Sequence, residues 1–181
     1  MWCGNHRGTK YGRKHIRFDA DKDKEYWDFS FTEMGDYDLK TSIEHILQVT
    51  NQKKLSYVGH SLGTTCMFYA LATDEEYWKE RINVFISFAP VCMPNKYFPL
   101  FNFGWRVEKN LARFLRFTSI WELFGKKWQP WCRTFRALVP GVLYSETSQF
   151  TAVKFNDRDS AKRFVGHHPH GATSRAIVHY G

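Results

Sequence analysis

Leu55-Ser56-Tyr57-Val58-Gly59-His60-Ser61-Leu62-Gly63-Thr64-Thr65 is the stretch from which the rest of the chain can be read. An apolar, β-prone run (55–58) leads into G-x-S-x-G, and a helix-forming run continues to Ala72. In that setting the serine sits on a tight strand-to-helix turn with its hydroxyl exposed. The glycines two residues to either side let neighbouring backbone approach where a Cβ would clash. Such a turn serves attack of a serine hydroxyl on an ester, thioester or amide carbonyl. A purely structural reading is that Gly59 and Gly63 allow a tight turn while Ser61 caps the helix, as serine often does. The two readings are compatible, because the turn is also a helix start.

Upstream, residues 1–24 are polar, glycine-bearing and basic, then acidic from Asp19 to Asp23, and read as a loop-rich entry. The aromatic run Trp27-Asp28-Phe29-Ser30-Phe31 follows. Leu39, Ile43, Ile46 and Leu47 recur at helical spacing, predicting a helix from Asp36 to about Thr50-Asn51. Downstream, a helix over 62–73 is interrupted by Asp74-Glu75-Glu76, and a second apolar strand follows at 84–88. Helix–strand–helix–strand order predicts an α/β fold with a parallel sheet. Pro90 and Pro94 close that region.

Beyond Pro94 the composition changes. Residues 97–135 are crowded with Phe and Trp, interleaved with Lys and Arg, and no strand is evident. Val107, Leu111, Phe114 and Leu115 share one helical face, and Arg106, Lys109, Arg113 and Arg116 another. A basic amphipathic helix can lie on a lipid surface, or pack its apolar side on a core and leave its charges in water. The segment reads as a helical insertion over the sheet.

The chain has 181 residues, enough for one domain with a substantial core. Its net charge is +8. A basic balance admits nucleic acid, anionic membrane or acidic substrates as partners, but no zinc-finger spacing, RNP-like run or contiguous Lys/Arg block points to nucleic acid. Cys3, Cys66, Cys92 and Cys132 form no CxxC pair, which argues against a zinc or redox site. Cys66 and Cys92 lie in apolar runs and are expected to be buried. Neither a signal-peptide h-region nor a bilayer-spanning apolar stretch is present in these residues.

A serine nucleophile needs a histidine base oriented by a carboxylate. Ser61, then Asp157 or Asp159, then His167, His168 or His170 has the Ser–acid–His order. The residues before Asp157 and His167 are short and charged rather than strand-like, which counts against that set. His60 adjoins Ser61 on the wrong side to serve as its base. His6, His15 and His45 precede the turn, and His179 has no supporting element in the sequence pattern.

Taken together, these motifs resemble the acid lipases among the α/β-hydrolases. The resemblance rests on Trp2-x-Gly4-Asn5-x-Arg7-Gly8, on the run from Tyr26 through Trp27-Asp28-Phe29-Ser30-Phe31-x-Glu33-Met34-Gly35-x-Tyr37-Asp38-Leu39, and on the Ser61 turn itself. Leu123-Phe124-Gly125 and His167-x-Pro169-x-Gly171 are similar to motifs of that family's cap. The chain departs from the family at Leu62, where Gln is usual, and at Lys40, where Pro is usual. Only the backbone N–H is needed at position 62 to hold an oxyanion, so that change is tolerable.

The resemblance implies a partial α/β-hydrolase fold with parallel strands and a helical cap insertion. Residues 1–93 would form the core, 94–175 the cap, and 176–181 the start of a return to the core. It implies a carboxylic-ester hydrolase of lipid esters, triacylglycerol or steryl ester, with Ser61 as nucleophile and the Leu62 N–H as oxyanion donor. No metal or cofactor is implied, and the place would be secreted or lysosomal. The resemblance sets the catalytic Asp and His beyond residue 181, and the His-Gly loop with the second oxyanion donor before residue 1. The alternative is a catalytically inactive, truncated lipase-like protein that binds lipid or a membrane surface.

Overall fold

The computed structural model describes residues 1–92, 114, 117–118, 120–123, 125 and 171–179. After turns over residues 7–12 and 16–22 and a 3-10 turn at Lys24–Trp27, the chain enters a helical path. That path runs through α1 (Phe31–Glu33), a π-helical turn (Met34–Leu39) and α2 (Lys40–Thr50), and ends with Asn51 in the left-handed region. Strand β1 (Leu55–His60) leads to α3 (Leu62–Thr73), α4 (Glu75–Lys79) and strand β2 (Ile82–Phe88). The short strands β3 (Glu122–Leu123) and β4 (Ala172–Thr173) pair antiparallel, and α5 (Ser174–His179) follows.

β1 and β2 pair in parallel, with Ser56 opposite Val84 and His60 opposite Phe88. The α3–α4 crossover is the connection that parallel neighbours require. One face of this pair is covered: Phe85 meets Phe68 of α3 edge-on at 5.1 Å and lies 5.7 Å from Tyr57. On the other face Val58, Val84, Ile86 and Phe88 are exposed. The core gathers Tyr26, Trp27, Phe29, Met34, Leu39 and Ile43 with Cys66, Met67, Ala70 and Trp78. Burying such side chains stabilises by roughly 1.5–3 kcal/mol each.

The helix expected from Asp36 begins earlier, at Phe31. A Cβ at Gly35 would lie 2.7 Å from Tyr69 Cδ1 and 3.2 Å from the Cys66 carbonyl. The π turn therefore lies where this helix crosses α3 backbone-close, a constraint that periodicity does not reveal. The stretch Asp74-Glu75-Glu76, read as an interruption, caps and opens α4, with the Asp74 carboxylate accepting the Tyr77 N–H. Glu122–Leu123 is a strand where none was expected. Cys66 is buried as expected, but Cys92 is exposed, as is Cys3. Cys132, the Val107–Leu115 face apart from Phe114, and Asp157, Asp159, His167, His168 and His170 lie outside the described residues.

Candidate functional site

Ser61 stands between the end of β1 and the first residue of α3 with φ 49° and ψ −116°. Those are close to the angles of the first central residue of a type II′ turn, a position that favours glycine. A serine held there stores about 1–3 kcal/mol of strain. Its side chain makes no capping bond to α3. The purely structural reading of Ser61 as a helix cap thus lacks the hydrogen bond that would justify it.

The neighbours explain how the turn is held. A Cβ at Gly59 would meet Tyr57 Cε1 at 3.0 Å and the Gly63 carbonyl group at 3.1 Å. Residue 59 must therefore be small for the chain to cross itself. At Gly63 a Cβ would meet only the Tyr57 hydroxyl, at 3.5 Å, an ordinary contact. The Tyr57 hydroxyl donates to the Gly63 carbonyl at 3.1 Å. Burial, with a smaller contribution from Cys66, pushes that hydroxyl up to about 12, so it remains a donor.

The Ser61 N–H donates to the Phe88 carbonyl at 3.0 Å, tying the turn to the end of β2. The next residue, Ala89, is also left-handed, with φ 45°. Thr64, fully buried, donates its hydroxyl to the Ser61 carbonyl at 2.6 Å and accepts the Val91 N–H at 3.1 Å. The Thr65 hydroxyl donates to the Val91 carbonyl at 2.6 Å. Sequence reading missed this contact between consecutive threonines and the loop after β2. The available signal was the Thr-Thr pair on the first turn after the serine.

Leu62 supplies the first amide of α3. The first four amides of a helix have no partner within it, and the helix dipole makes that end favourable for negative charge. The Leu62 N–H is thus suited by position to an oxyanion formed at Ser61. The Cys66 thiol, buried one turn further along, is pushed up to about 12 by burial first and by the Asp38 charge second, and stays protonated near neutral pH.

Histidines are placed as follows. His60 is exposed beside Ser61. His6 lies 4.0 Å from Asp38, and its pKa is lowered chiefly by burial, against the pull of Asp38. Asp38 itself takes the Arg7 backbone N–H and guanidinium at 2.6–2.9 Å. His15 Nδ1 accepts the Arg17 and Phe18 amides, and His45 packs edge-on to Trp2.

His179, for which the sequence offered no supporting element, lies on α5 and is bound. Its Nδ1 is 2.6 Å from the Ser30 hydroxyl, and its ring stacks on Phe31 at 4.5 Å. The same helix region is tied to the core by Thr173 Oγ1 donating to the Trp27 carbonyl at 2.8 Å and by Arg175 on the Asp28 carbonyl and carboxylate, each at 2.9 Å. Arg13 ion-pairs with Glu122 of β3 and with Asp21. No cluster of metal-binding side chains occurs among the described residues.

Known proteins are similar to this chain. Human lipase member K is 47% identical over 91 residues, half of this chain and 22% of that protein. Gastric triacylglycerol lipase of Bos taurus is 45% identical over 102 residues, 56% of this chain and 25% of that protein. Lipase lipl-1 of Caenorhabditis elegans is 30% identical across 99% of this chain and 46% of its own length. The chain thus spans less than half the length of each of these relatives. The sequence profile of the alpha/beta hydrolase fold matches residues 1–162. A strand–turn–helix with a strained serine and a parallel neighbour strand accords with that match, and the chain belongs to the α/β-hydrolase fold family, with acid lipases among its relatives.

Proposed function

We propose that the protein carrying this sequence is a serine-dependent hydrolase of lipid esters, triacylglycerol or steryl ester. The observation that carries the reading is the backbone of Ser61: a non-glycine residue at φ 49° before α3, whose hydroxyl does not cap the helix. In this reading the Ser61 hydroxyl attacks the acyl carbonyl and the Leu62 N–H holds the oxyanion. An acyl-enzyme forms, and water releases it. The base and its carboxylate are assigned to residues beyond 181, following the lipase resemblance, and no metal or cofactor takes part.

Residues 94–175 are assigned to a cap that meets the lipid interface. Support comes from Phe114 and Phe117, which are 58% and 87% exposed, with Arg113 and Arg116 beside them in sequence. A secreted or lysosomal place goes with the same reading.

The test is hydrolysis of a p-nitrophenyl ester and of a triacylglycerol emulsion by the full-length protein and its Ser61→Ala variant. Turnover that disappears in the variant supports the assignment; turnover that survives it overturns it. Residues 1–181 expressed alone are expected to give no turnover above the Ser61→Ala background, and Ser61-dependent turnover there would return the base and acid to Asp157, Asp159, His167, His168 and His170.

A further inference from the structure

We propose that Thr64 is a positioning residue for the nucleophile, clamping the serine turn to the loop after β2; the proposal rests on Ser61 being the nucleophile. A threonine hydroxyl has one proton and two lone pairs. At Thr64 the proton goes to the Ser61 carbonyl and a lone pair takes the Val91 N–H. The Thr65 hydroxyl takes the Val91 carbonyl, so both backbone polar groups of Val91 are held by consecutive threonines. The third tie is the Ser61 N–H on the Phe88 carbonyl.

Between these ties lie two non-glycine residues with positive φ, Ser61 at 49° and Ala89 at 45°. Strained backbone persists only where its surroundings over-determine it. Here the surroundings include one buried hydroxyl that touches both strained segments. The Ser61 carbonyl would not be orphaned without it, because the Thr64 and Thr65 amides also reach that oxygen, at 2.9 and 3.4 Å. What the Thr64 hydroxyl adds is the connection to Val91. Losing it leaves the loop tied to the turn by the Thr65 hydroxyl and the Phe88 carbonyl alone, and a displacement of about 1 Å at a reacting group can cost about a hundredfold in rate.

The experiment compares Thr64→Val, which keeps the shape and removes the hydroxyl, with Thr64→Ser, which keeps the hydroxyl. Steady-state kinetics of the full-length protein on a p-nitrophenyl ester are measured with active sites titrated by a fluorophosphonate. Thr64→Val is expected to lower kcat by about ten- to a hundredfold with KM within about threefold, and Thr64→Ser to restore kcat to within about threefold of the parent. A residue that only stabilises the fold would lower Tm while leaving kcat per titrated site unchanged.

A folded Thr64→Val protein with parental kcat overturns the proposal, and so does Thr64→Ser being as impaired as Thr64→Val. Should Thr64→Val fail to fold, Thr65→Val decides by loosening Val91 from its carbonyl side. A kcat loss of about tenfold there supports the clamp, and parental kcat removes it. Turnover that survives Ser61→Ala would sink the hydrolase reading instead, independently of either threonine.

Discussion

Ser30 and Ser61 both stand immediately before a helix, α1 and α3, yet the molecule uses them in opposite ways. Ser30 is fully buried in extended backbone, forms a capping box with Glu33, and lies 2.6 Å from a histidine. Ser61 is partly exposed and strained, and among the described residues its hydroxyl has no hydrogen-bond partner. A search for a serine next to a histidine would select Ser30. Yet Ser30 is fully buried, and its hydroxyl holds α5 against the core. On the proposed reading, the contrast teaches that presentation by the backbone points to a nucleophile better than a nearby base does. A base can arrive from another part of a chain, whereas the strained turn cannot.

The most forceful way to break this contrast is to remove each hydroxyl in turn. Ser61→Ala is expected to abolish fluorophosphonate labelling of the full-length protein, by about a thousandfold or more. Ser30→Ala should leave labelling within about threefold while costing about 0.5–2 kcal/mol in urea unfolding, because the capping serine of α1 is lost. Labelling that follows Ser30 instead would invert the assignment.

Crowding and strain can be separated next. Gly59→Val places new atoms at positions where a Cβ alone already meets Tyr57 and the Gly63 carbonyl at about 3 Å. The expected cost is about 1–3 kcal/mol together with loss of labelling, measured on the same samples. Ser61→Gly should instead raise stability. Relief of about 1–3 kcal/mol of backbone strain exceeds the roughly 0.5–1 kcal/mol entropic cost of glycine, leaving a gain of about 1 kcal/mol in an inactive protein. A fall in Tm would show that the turn is not strained.

The smallest effect concerns acid. Burial raises the Glu33 carboxyl, but hydrogen bonds from the Thr32 hydroxyl and the Ser30 amide, with the Arg175 charge nearby, outweigh it and hold the group below its ordinary 4.5. A carboxylate depressed on folding adds stability that is present above the unfolded value and lost as pH falls through the folded one. Glu33→Gln should therefore be the less stable protein near about pH 7, with the gap closing below about pH 4. A gap of constant size in urea melts across that range would remove Glu33 from the acid response of the Ser30 region.

Much of this arrangement was legible in the sequence. The apolar runs 55–58 and 84–88 read as strands, although one face of each is exposed, and two glycines around Ser61 announced a tight turn. Leu39, Ile43, Ile46 and Leu47 announced a helix face. What periodicity could not supply was set by contacts distant in sequence. The helix starts at Phe31, where Ser30 and Glu33 form a capping box, and its crossing with α3 is backbone-close at Gly35. β3 and β4 have two residues each, too few for any alternation to register. His179 finds its partner 149 residues away. Cys92 looked buried because its neighbours are apolar, but the chain has left the sheet by that point.

That exposed thiol has a practical consequence. Cys92 directly follows Val91, the residue held by both threonines, whereas the Cys66 thiol is buried and protonated near neutral pH. With Cys3 and Cys132 replaced by serine, an environment-sensitive dye on Cys92 would turn the loop beside Ser61 into an optical reporter. Any movement of that loop next to Ser61 could then be followed in real time, without substrate.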